Sequence, residues 1–570
     1  MTLFGRFLIL AFMLLGQLSS SALPWAATEP MAVAEPMAAP MEIREYLRQR
    51  LEVETGSRQF ICRGETICTA QLIRRFYERR AFQPSWSNNG QLATHITELV
   101  VALNNADVEG LRPADYHLYS IKSLLGKLAR LQGEGKSLAL EDLVDLDLLL
   151  TDAFLAYASN LINGRINPEA IHEQWIPYNH GDDLVAILDE ALSSSQGVAA
   201  TLQGLRPPHD GYRRMMEALA DLRDIARMGG WPMVEDGFNL QQGMRHRRVH
   251  ALRQRLMISG DYDAPVMANE NLFDEKLAAA VHRFQQRHGL KADGLVGPET
   301  LAALNVPVAK RLRQIKLNME RWRWIPHNLG RRYILVNIAD FSLKVFEDSQ
   351  KILETRVVVG KFHRSTPVFS DRVEYLVINP YWYLPATIIV EDVVPKILAN
   401  PNYLAQKRIK IFAAGSNETQ ELEPTAIDWT GISKENLPYK LRQEPGPSNV
   451  LGRVKVMFPN KFAVYLHDTP GQGLFRKTAR DFSSGCIRLE KPVELAAYLL
   501  GDDPLWSREN ILATMASGER QVVTLPEQVP IHILYWTAWS DKDGRMHFRN
   551  DIYDRDKQLL AALDGVVPQP

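Results

Sequence analysis

Cys486 and His467 are the side chains whose types and spacing best fit covalent chemistry. They lie nineteen residues apart in the run YLHDTPGQGLFRKTARDFSSGCIRL, residues 465–489. A thiol and an imidazole on the two shoulders of one polar loop can meet in space, and that pairing is the minimum equipment for a thiol nucleophile. A free Cys has a pKa of about 8.5, so only ~3% is thiolate at neutral pH. A nearby imidazole or aligned N–H groups lower that pKa and raise the reactive fraction. Gly485 has no Cβ and admits an acyl carbonyl against the backbone. The N–H groups of Gly485 and Cys486 are therefore candidate oxyanion donors. Ser483 is a candidate to hold the loop through its hydroxyl. Arg488, two residues past the thiol on one strand face, suits a substrate carboxylate or a structural ion pair. The second ring nitrogen of His467 needs an acceptor, either a backbone carbonyl or Asp468. Without that context a Cys in an apolar strand is a small buried hydrophobe. Its place at a turn-to-strand junction after Ser-Ser-Gly favours chemistry.

The elements that must position this loop are strands. From Arg332 the runs YILVNIA, SLKVF, ILETRVVVG, EYLVINPYWYLP and VKVMFPNKFAVYLH are short, β-branched and separated by turns. They predict a mostly antiparallel β catalytic domain over 331–515. Tyr381, Trp382 and Tyr383 end one strand and are candidates for core or for the wall of a peptide groove. A Pro- and Gly-rich segment at about 391–448 interrupts the strands, and a long insertion of this kind is usually functional or mobile. Residues 516–570, with Asp543-Gly544 at a hairpin tip, are expected to complete the domain.

Upstream the period is helical. Residues 42–245 read as a helical domain without a His, Cys and carboxylate cluster at ligand spacing. Residues 246–305 read as three short helices, the last opened by Gly297-Pro298. Residues 306–330 form a linking helix with Leu312, Ile315, Met319 and Trp322 on one stripe. The fold class is thus multidomain α+β. Residues 1–22 read as a secretory signal with an apolar run too short to span a bilayer, cleaved or kept as an anchor. Residues 23–41 read as a flexible tether. Cys62 and Cys68 are a disulfide candidate in an oxidising compartment, which leaves Cys486 unpaired. The net charge of −1 over 570 residues gives no field for nucleic acid. His363, His467, His532 and His547 fall in separate segments, so neither a metal nor another cofactor is expected.

The motif His467…Ser483-Ser484-Gly485-Cys486-Ile487-Arg488 resembles the catalytic motif of the L,D-transpeptidases of YkuD type. Most members have His where this chain has Ser484, and that departure is similar to the large periplasmic branch. It removes a candidate second base and leaves Ser484 a candidate on the substrate side. The text VHRFQQRHGLKADGLVGPETLAALN resembles a peptidoglycan-binding module, and the pieces at 110–113 and 163–168 resemble the branch's helical scaffold. Gly360, Thr366 and Pro367 resemble the approach to the family's cleft. The resemblance implies a periplasmic enzyme in which Cys486 attacks a tetrapeptide stem, expels D-Ala and passes the acyl group to a neighbouring stem as a 3→3 cross-link. It implies His467 as base and acid, the insertion as a lid, peptidoglycan stems and other wall-synthesis enzymes as partners, and acylation by carbapenems. The competing outcomes are hydrolysis of the same thioester, transfer to a lipoprotein amine, and a wall-binding scaffold with a silent site.

Overall fold

The computed structural model describes residues 40–53, 59–88, 91–263, 270–501 and 503–565. The leader at 1–22 lies outside the described residues, as does the tether up to residue 39. Residues 40 and 41 already belong to the first helix.

The N-terminal part is helical: α1 (Pro40–Val53), α2 (Ala70–Arg79), α3 (His95–Asn104), α4 (Leu118–Gly133), α5 (Leu140–Asn163), α6 (Pro168–Ile171), α7 (Leu184–Ser193), α8 (Gly197–Gly204) and α9 (Asp210–Arg227), with two hairpins, β1 (Phe60–Cys62) with β2 (Glu65–Ile67) and β3 (Ser87–Asn88) with β4 (Gln91–Leu92). The axis of this part is α5, buried all the way from Asp142 to Ile162. Its acids face inward because the surrounding loops need acceptors. Asp147 accepts from the N–H groups of Ser85 and Trp86, each at 3.0 Å. Asp152 accepts from those of Cys68 at 3.2 Å and Thr69 at 2.7 Å.

The Cys62–Cys68 bridge is not formed, and both thiols are free and buried. Register explains it. Cys62 pairs with Glu65 at the closed end of the first hairpin, and Cys68 follows the far end. Three residues of strand separate Cys68 from that pairing level, about 10 Å, whereas a disulfide needs Cα atoms within about 7 Å. The Cys62 thiol donates instead to the Asp145 carboxylate at 3.4 Å.

The second part packs α10 (Arg248–Ile258), α11 (Glu275–Arg287) and α12 (Pro298–Leu304) around Leu252, Leu256, Leu277, Val281 and Phe284. The next helix, α13 (Val308–Trp322), lays its Ile315, Met319 and Trp322 stripe against Tyr212, Met215 and Leu219 of α9. Trp322 stacks on Trp536 at 4.2 Å, and Trp324 leans on Trp175 at 5.2 Å. Both indoles are packing residues.

The third part is β-rich. Its large sheet contains β5 (Arg332–Asn337), β6 (Ser342–Glu347), β7 (Gln350–Gly360), β8 (Phe369–Ile378), β12 (Val454–Met457), β13 (Leu466–His467), β14 (Asp481–Ser483), β15 (Ile487–Leu489) and β16 (Gln521–Leu534). They run in the order β14-β7-β15-β13-β12-β8-β16-β5-β6, and β6 pairs back onto β7, so the sheet curls on itself. Most neighbours are antiparallel, but β13 with β15, β14 with β7, and β16 with β5 run parallel. Between β8 and β12 lie β9 (Trp382–Tyr383), α14 (Ala386–Ile388), α15 (Val394–Ala399), α16 (Tyr403–Gln406), β10 (Ile409–Ala413) and β11 (Tyr439–Gln443). Strands β10, β11 and β9 make a separate sheet. Its core of Trp382, Ile389, Ile397, Leu404, Ile411, Trp429, Leu441 and Leu451 shows that the insertion folds as a unit of its own, from residue 382. The chain ends through α17 (Pro492–Leu500), α18 (Arg508–Ser517), the hairpin β17 (Ala538–Ser540) with β18 (Met546–Phe548), and α19 (Arg555–Gly565). That hairpin pairs only with itself and packs against α9 and α13 rather than extending the large sheet.

Candidate active site

Strand alternation builds the site. Val454 and Val456 of β12, Leu466 of β13, Ile487 and Leu489 of β15, and Val357 and Val359 of β7 all point into the core of the curled sheet. A period of two then sends Lys455, His467, Arg488 and Val358 to the opposite face. Register aligns them in one row across four strands: Lys455 opposite His467, His467 opposite Arg488, Arg488 opposite Val358. One level back along the parallel pair, Tyr465 stands beside Cys486, and its carbonyl accepts from the Ile487 N–H at 3.1 Å.

Cys486 is half-buried. Burial pushes its thiol above the ordinary range. The backbone N–H and the hydroxyl of Tyr465, then the charges of Lys455 and Arg488, pull the other way. Among the described residues the only opposite charge acting strongly on Arg488 is the Cys486 thiolate, which also acts on Lys455. The Nε of Arg488 is buried without a hydrogen-bond partner. The ammonium of Lys455 lies 3.8 Å from the centre of the Tyr465 ring. Trp382 also acts on the Tyr465 hydroxyl, so one phenol lies between the insertion and the thiol.

His467 donates Nδ1–H to the backbone carbonyl of Asp468 at 2.5 Å. The Asp468 carboxylate is turned away, accepting from the N–H groups of Arg453 at 2.8 Å and Thr469 at 2.7 Å. Of the two acceptors the sequence left open, the carbonyl is the one used. This tautomer leaves Nε2 with its lone pair, as a base requires. Burial, then the Arg488 charge, lowers the imidazole to about 3. No hydrogen bond joins His467 to Cys486 in this structure; the register sets them diagonally. The expectation that an imidazole or aligned N–H groups bring the thiol pKa down is not met: burial raises it, and Tyr465, Lys455 and Arg488 oppose that rise only in part.

The turn before the thiol is pinned from both sides. Ser483 Oγ donates to the Cys486 carbonyl at 2.5 Å and accepts the Gly485 N–H at 3.2 Å. The Gly485 N–H is therefore already engaged, which corrects its assignment as an oxyanion donor. The Cys486 N–H makes no backbone hydrogen bond in the turn. Gly485 has φ +111°, where only glycine is at ease. Ser484 is exposed and accepts from Arg364 Nη1 at 3.0 Å. Arg364 also pairs with Asp392 at 2.5 Å and with Glu391, both in the insertion.

The aromatic trio divides. Trp382 is buried in the insertion core, so it does not wall an open groove. Tyr383 is 46% exposed and donates to Glu418 at 3.0 Å. Tyr381 lies under Arg442 at 4.3 Å and near Arg520 at 5.7 Å. The structure brings together Cys486, His467, Ser483, Ser484, Gly485 and Arg488, and leaves Tyr381 and Tyr383 at the periphery. Tyr465 and Lys455 went unnoticed in the sequence. Tyr465 precedes His467 by two on one strand, and Lys455 is the charged outward position of VKVM; alternation alone could have found both. Among the described residues no group of three His, Cys, Asp or Glu is placed to hold a metal, and no helix is long and apolar enough to cross a membrane.

Comparison with known families agrees with this geometry. Residues 331–518 match the L,D-transpeptidase catalytic domain. Residues 245–304 match the family described as "Putative peptidoglycan binding domain", and residues 71–219 match the scaffold domain. The curled sheet with its Cys-containing turn lies within the residues that match the L,D-transpeptidase catalytic domain, and the three-helix unit within those that match the peptidoglycan-binding family. A Haemophilus influenzae protein named "Putative L,D-transpeptidase" is 36% identical over 262 residues, covering 45% of this chain and 51% of that one. The chain thus spans about half the length of this curated relative. The L,D-transpeptidase structure from Xylanimonas cellulosilytica, residues 123–326, is 16% identical, covers 53% of this chain and 99% of that chain, and has a TM-score of 0.17. The one from Stackebrandtia nassauensis is 13% identical, covers 53% and 96%, and has a TM-score of 0.20.

Proposed function

We propose that the protein is a periplasmic peptidoglycan L,D-transpeptidase that forms 3→3 cross-links through a Cys486 thioester. The observation that carries this reading is the half-buried thiol flanked, on the outer face of the curled sheet, by two cations, Lys455 and Arg488, that have no carboxylate partner among the described residues. An anionic nucleophile and an anionic substrate both suit such a place.

Cys486 Sγ attacks the carbonyl at the L-centre of the stem's diamino acid. The S–C bond forms, the carbonyl π electrons move to oxygen, and the thiol proton passes to Nε2 of His467. A low imidazole pKa makes His467 a weak base at rest, so proton transfer gains most as negative charge develops on the neighbouring tetrahedral oxygen. That oxygen is received by the Cys486 N–H and the Tyr465 hydroxyl. Collapse breaks the C–N bond, His467 returns the proton to the leaving amine, and D-Ala departs. A stem amine then attacks the thioester and gives its proton to His467, and the thiol is restored. Arg488 and Lys455 hold the thiolate and a substrate carboxylate. The insertion acts as a lid that keeps water from the thioester; the links from Trp382 to Tyr465 and from Arg364 to Glu391 and Asp392 support that role. The peptidoglycan-binding domain holds the chain to its polymeric substrate.

Incubation of the purified protein with a disaccharide-tetrapeptide, with products read by mass spectrometry beside Cys486→Ala, tests the reading. A Cys486-dependent dimer that has lost one D-Ala supports it. Tripeptide without dimer would make the enzyme an L,D-carboxypeptidase.

A further inference from the structure

The N-terminal helical domain reaches the catalytic turn through one short strap. Residues 365–368 cross between them. On one side, Val368 N–H donates to the Gln174 carbonyl at 2.9 Å, and Ile176 N–H donates to the Val368 carbonyl at 3.0 Å, so the segment after α6 adds to the strap as a short parallel strand centred on Trp175 and Val368. Ser365 Oγ donates to the side-chain carbonyl of Gln174 at 2.8 Å. On the other side, the fully buried Thr366 accepts the Gly360 N–H at 2.9 Å and donates its hydroxyl to the Gly485 carbonyl at 2.8 Å. Arg555 Nη2 and the Tyr553 hydroxyl hold the strap backbone at Thr366.

The Gly485 carbonyl and the Cys486 N–H are two ends of one planar peptide unit. In a trans peptide they point in opposite directions. A hydroxyl that fixes the carbonyl therefore also fixes the N–H, and aims it away from the strap. Nothing else in the turn does so, since Ser483 grips the Gly485 N–H and the Cys486 carbonyl, which belong to the neighbouring peptide units. At φ +111° glycine has little intrinsic barrier against rotation of that plane.

We propose that Thr366 is a positioning residue that aims the Cys486 N–H at the oxyanion, and that residues 174–176 of the scaffold domain complete this device by clamping the strap. The scaffold is then part of the catalytic apparatus as well as a support. This inference rests on the reading of Cys486 as the acyl acceptor.

The experiment uses the full chain and two probes of one thiol. A carbapenem acylates through a tetrahedral oxyanion and needs the aimed N–H. Iodoacetamide alkylates by displacement at a methylene carbon and forms no oxyanion. Thr366→Val keeps the shape and removes the hydroxyl. It should slow acylation of Cys486 roughly 100-fold, the scale of a lost oxyanion donor, and leave alkylation within about twofold. Thr366→Ser restores the hydroxyl and should recover most of the rate. Gln174→Ala and Ser365→Ala should each slow acylation about threefold to tenfold by loosening the clamp, with kcat for a tetrapeptide donor falling and KM unchanged. Equal acylation by wild type and Thr366→Val would overturn the role of Thr366. A parallel fall in acylation and alkylation would show a merely structural one. Unchanged acylation in Gln174→Ala and Ser365→Ala would remove the scaffold from the device. Wild-type protein alkylated at Cys486 but never acylated would instead defeat the underlying reading.

Discussion

The ammonium of Lys455 lies 3.8 Å from the centre of the Tyr465 ring, and that ring's hydroxyl reaches the Cys486 thiol. The lysine therefore acts on the sulfur both through space and through the phenol. Burial raises the Cys486 pKa, and the lysine charge opposes it. The thiolate fraction should rise with pH to a midpoint above the ordinary thiol range. Lys455→Met should move that midpoint higher still and slow alkylation by iodoacetamide at pH 8 by about tenfold, the equivalent of one pKa unit. Rates measured from pH 6 to 10 by intact mass check this. A lower midpoint in the variant would mean that Lys455 does not stabilise the thiolate.

Arg364 joins the catalytic turn to the insertion, touching Ser484 on one side and Glu391 and Asp392 on the other. Lys434 extends the chain by pairing with Glu391 at 2.5 Å. These pairs are partly exposed, so their loss should cost little stability. Their effect on closure should be larger. Arg364→Gln should increase hydrogen exchange in residues 386–399 and shift product from dimer towards tripeptide, because water gains access to the thioester. Unchanged exchange together with an unchanged product ratio would show that the contact does not hold the insertion closed.

The sequence made the motif legible because chemistry confines it to adjacent residues. Cys486, His467, Ser483 and Arg488 are read from one stretch and meet on one face. The helical, three-helix and β-rich divisions were legible because each has its own hydrophobic period. What stayed hidden depends on register between distant strands. Lys455 joins the site from β12, and Thr366 from the strap before β8; alternation marks the first as outward and resemblance places the second near the cleft, but neither signal says what the side chain meets. Gly485 had a reason to be glycine, but its N–H turned out to serve Ser483. The acids of α5 resemble a solvated face until the loops that they cap are in place. The Cys62–Cys68 reading failed because spacing along the chain says nothing about where a hairpin turns.

Several histidines, buried or half-buried, are held neutral by the fold. Burial lowers His467 to about 3 and His532 and His327 to about 4. An unfolded histidine titrates near 6.5. Between that value and the folded one the unfolded chain binds more protons, so stability falls as pH falls. His532 Nε2–H donates to the Leu329 carbonyl at 3.2 Å, and its Nδ1 accepts from the Ser370 hydroxyl at 2.8 Å. Replacing it with Gln should remove about 1.4 kcal/mol of this pH dependence per pH unit in that window. Thermal melts at pH 7, 6, 5 and 4.5 should show a shallower acid decline for His532→Gln than for wild type. Equal slopes would place the acid sensitivity elsewhere.

Two glycines flank Thr366, and their substitution should separate strain from collision. At Gly485 an added Cβ would meet nothing closer than 3.8 Å, the backbone carbonyl oxygens of Arg364 and Ser365. The obstacle there is φ +111°, at a cost of about 1–2 kcal/mol for an alanine. Relaxing that φ turns the Gly485 carbonyl about the N–Cα bond and carries the Gly485–Cys486 peptide with it, which would swing the Cys486 N–H off the oxyanion. Gly360 presents the opposite case. An added Cβ would lie 2.2 Å from the Arg364 carbonyl oxygen and 2.8 Å from the Thr366 nitrogen, both backbone atoms that cannot swing aside. Gly485→Ala should therefore lose acylation by one to two orders of magnitude while its melting temperature falls only slightly. Gly360→Ala should lose several kcal/mol of stability, as overpacked buried sites do, and its acylation and alkylation rates should change together. Chemical denaturation and the two thiol probes on each variant distinguish the cases. If Gly485→Ala keeps its acylation rate, the turn tolerates rotation, and the aim of the Cys486 N–H does not limit the reaction.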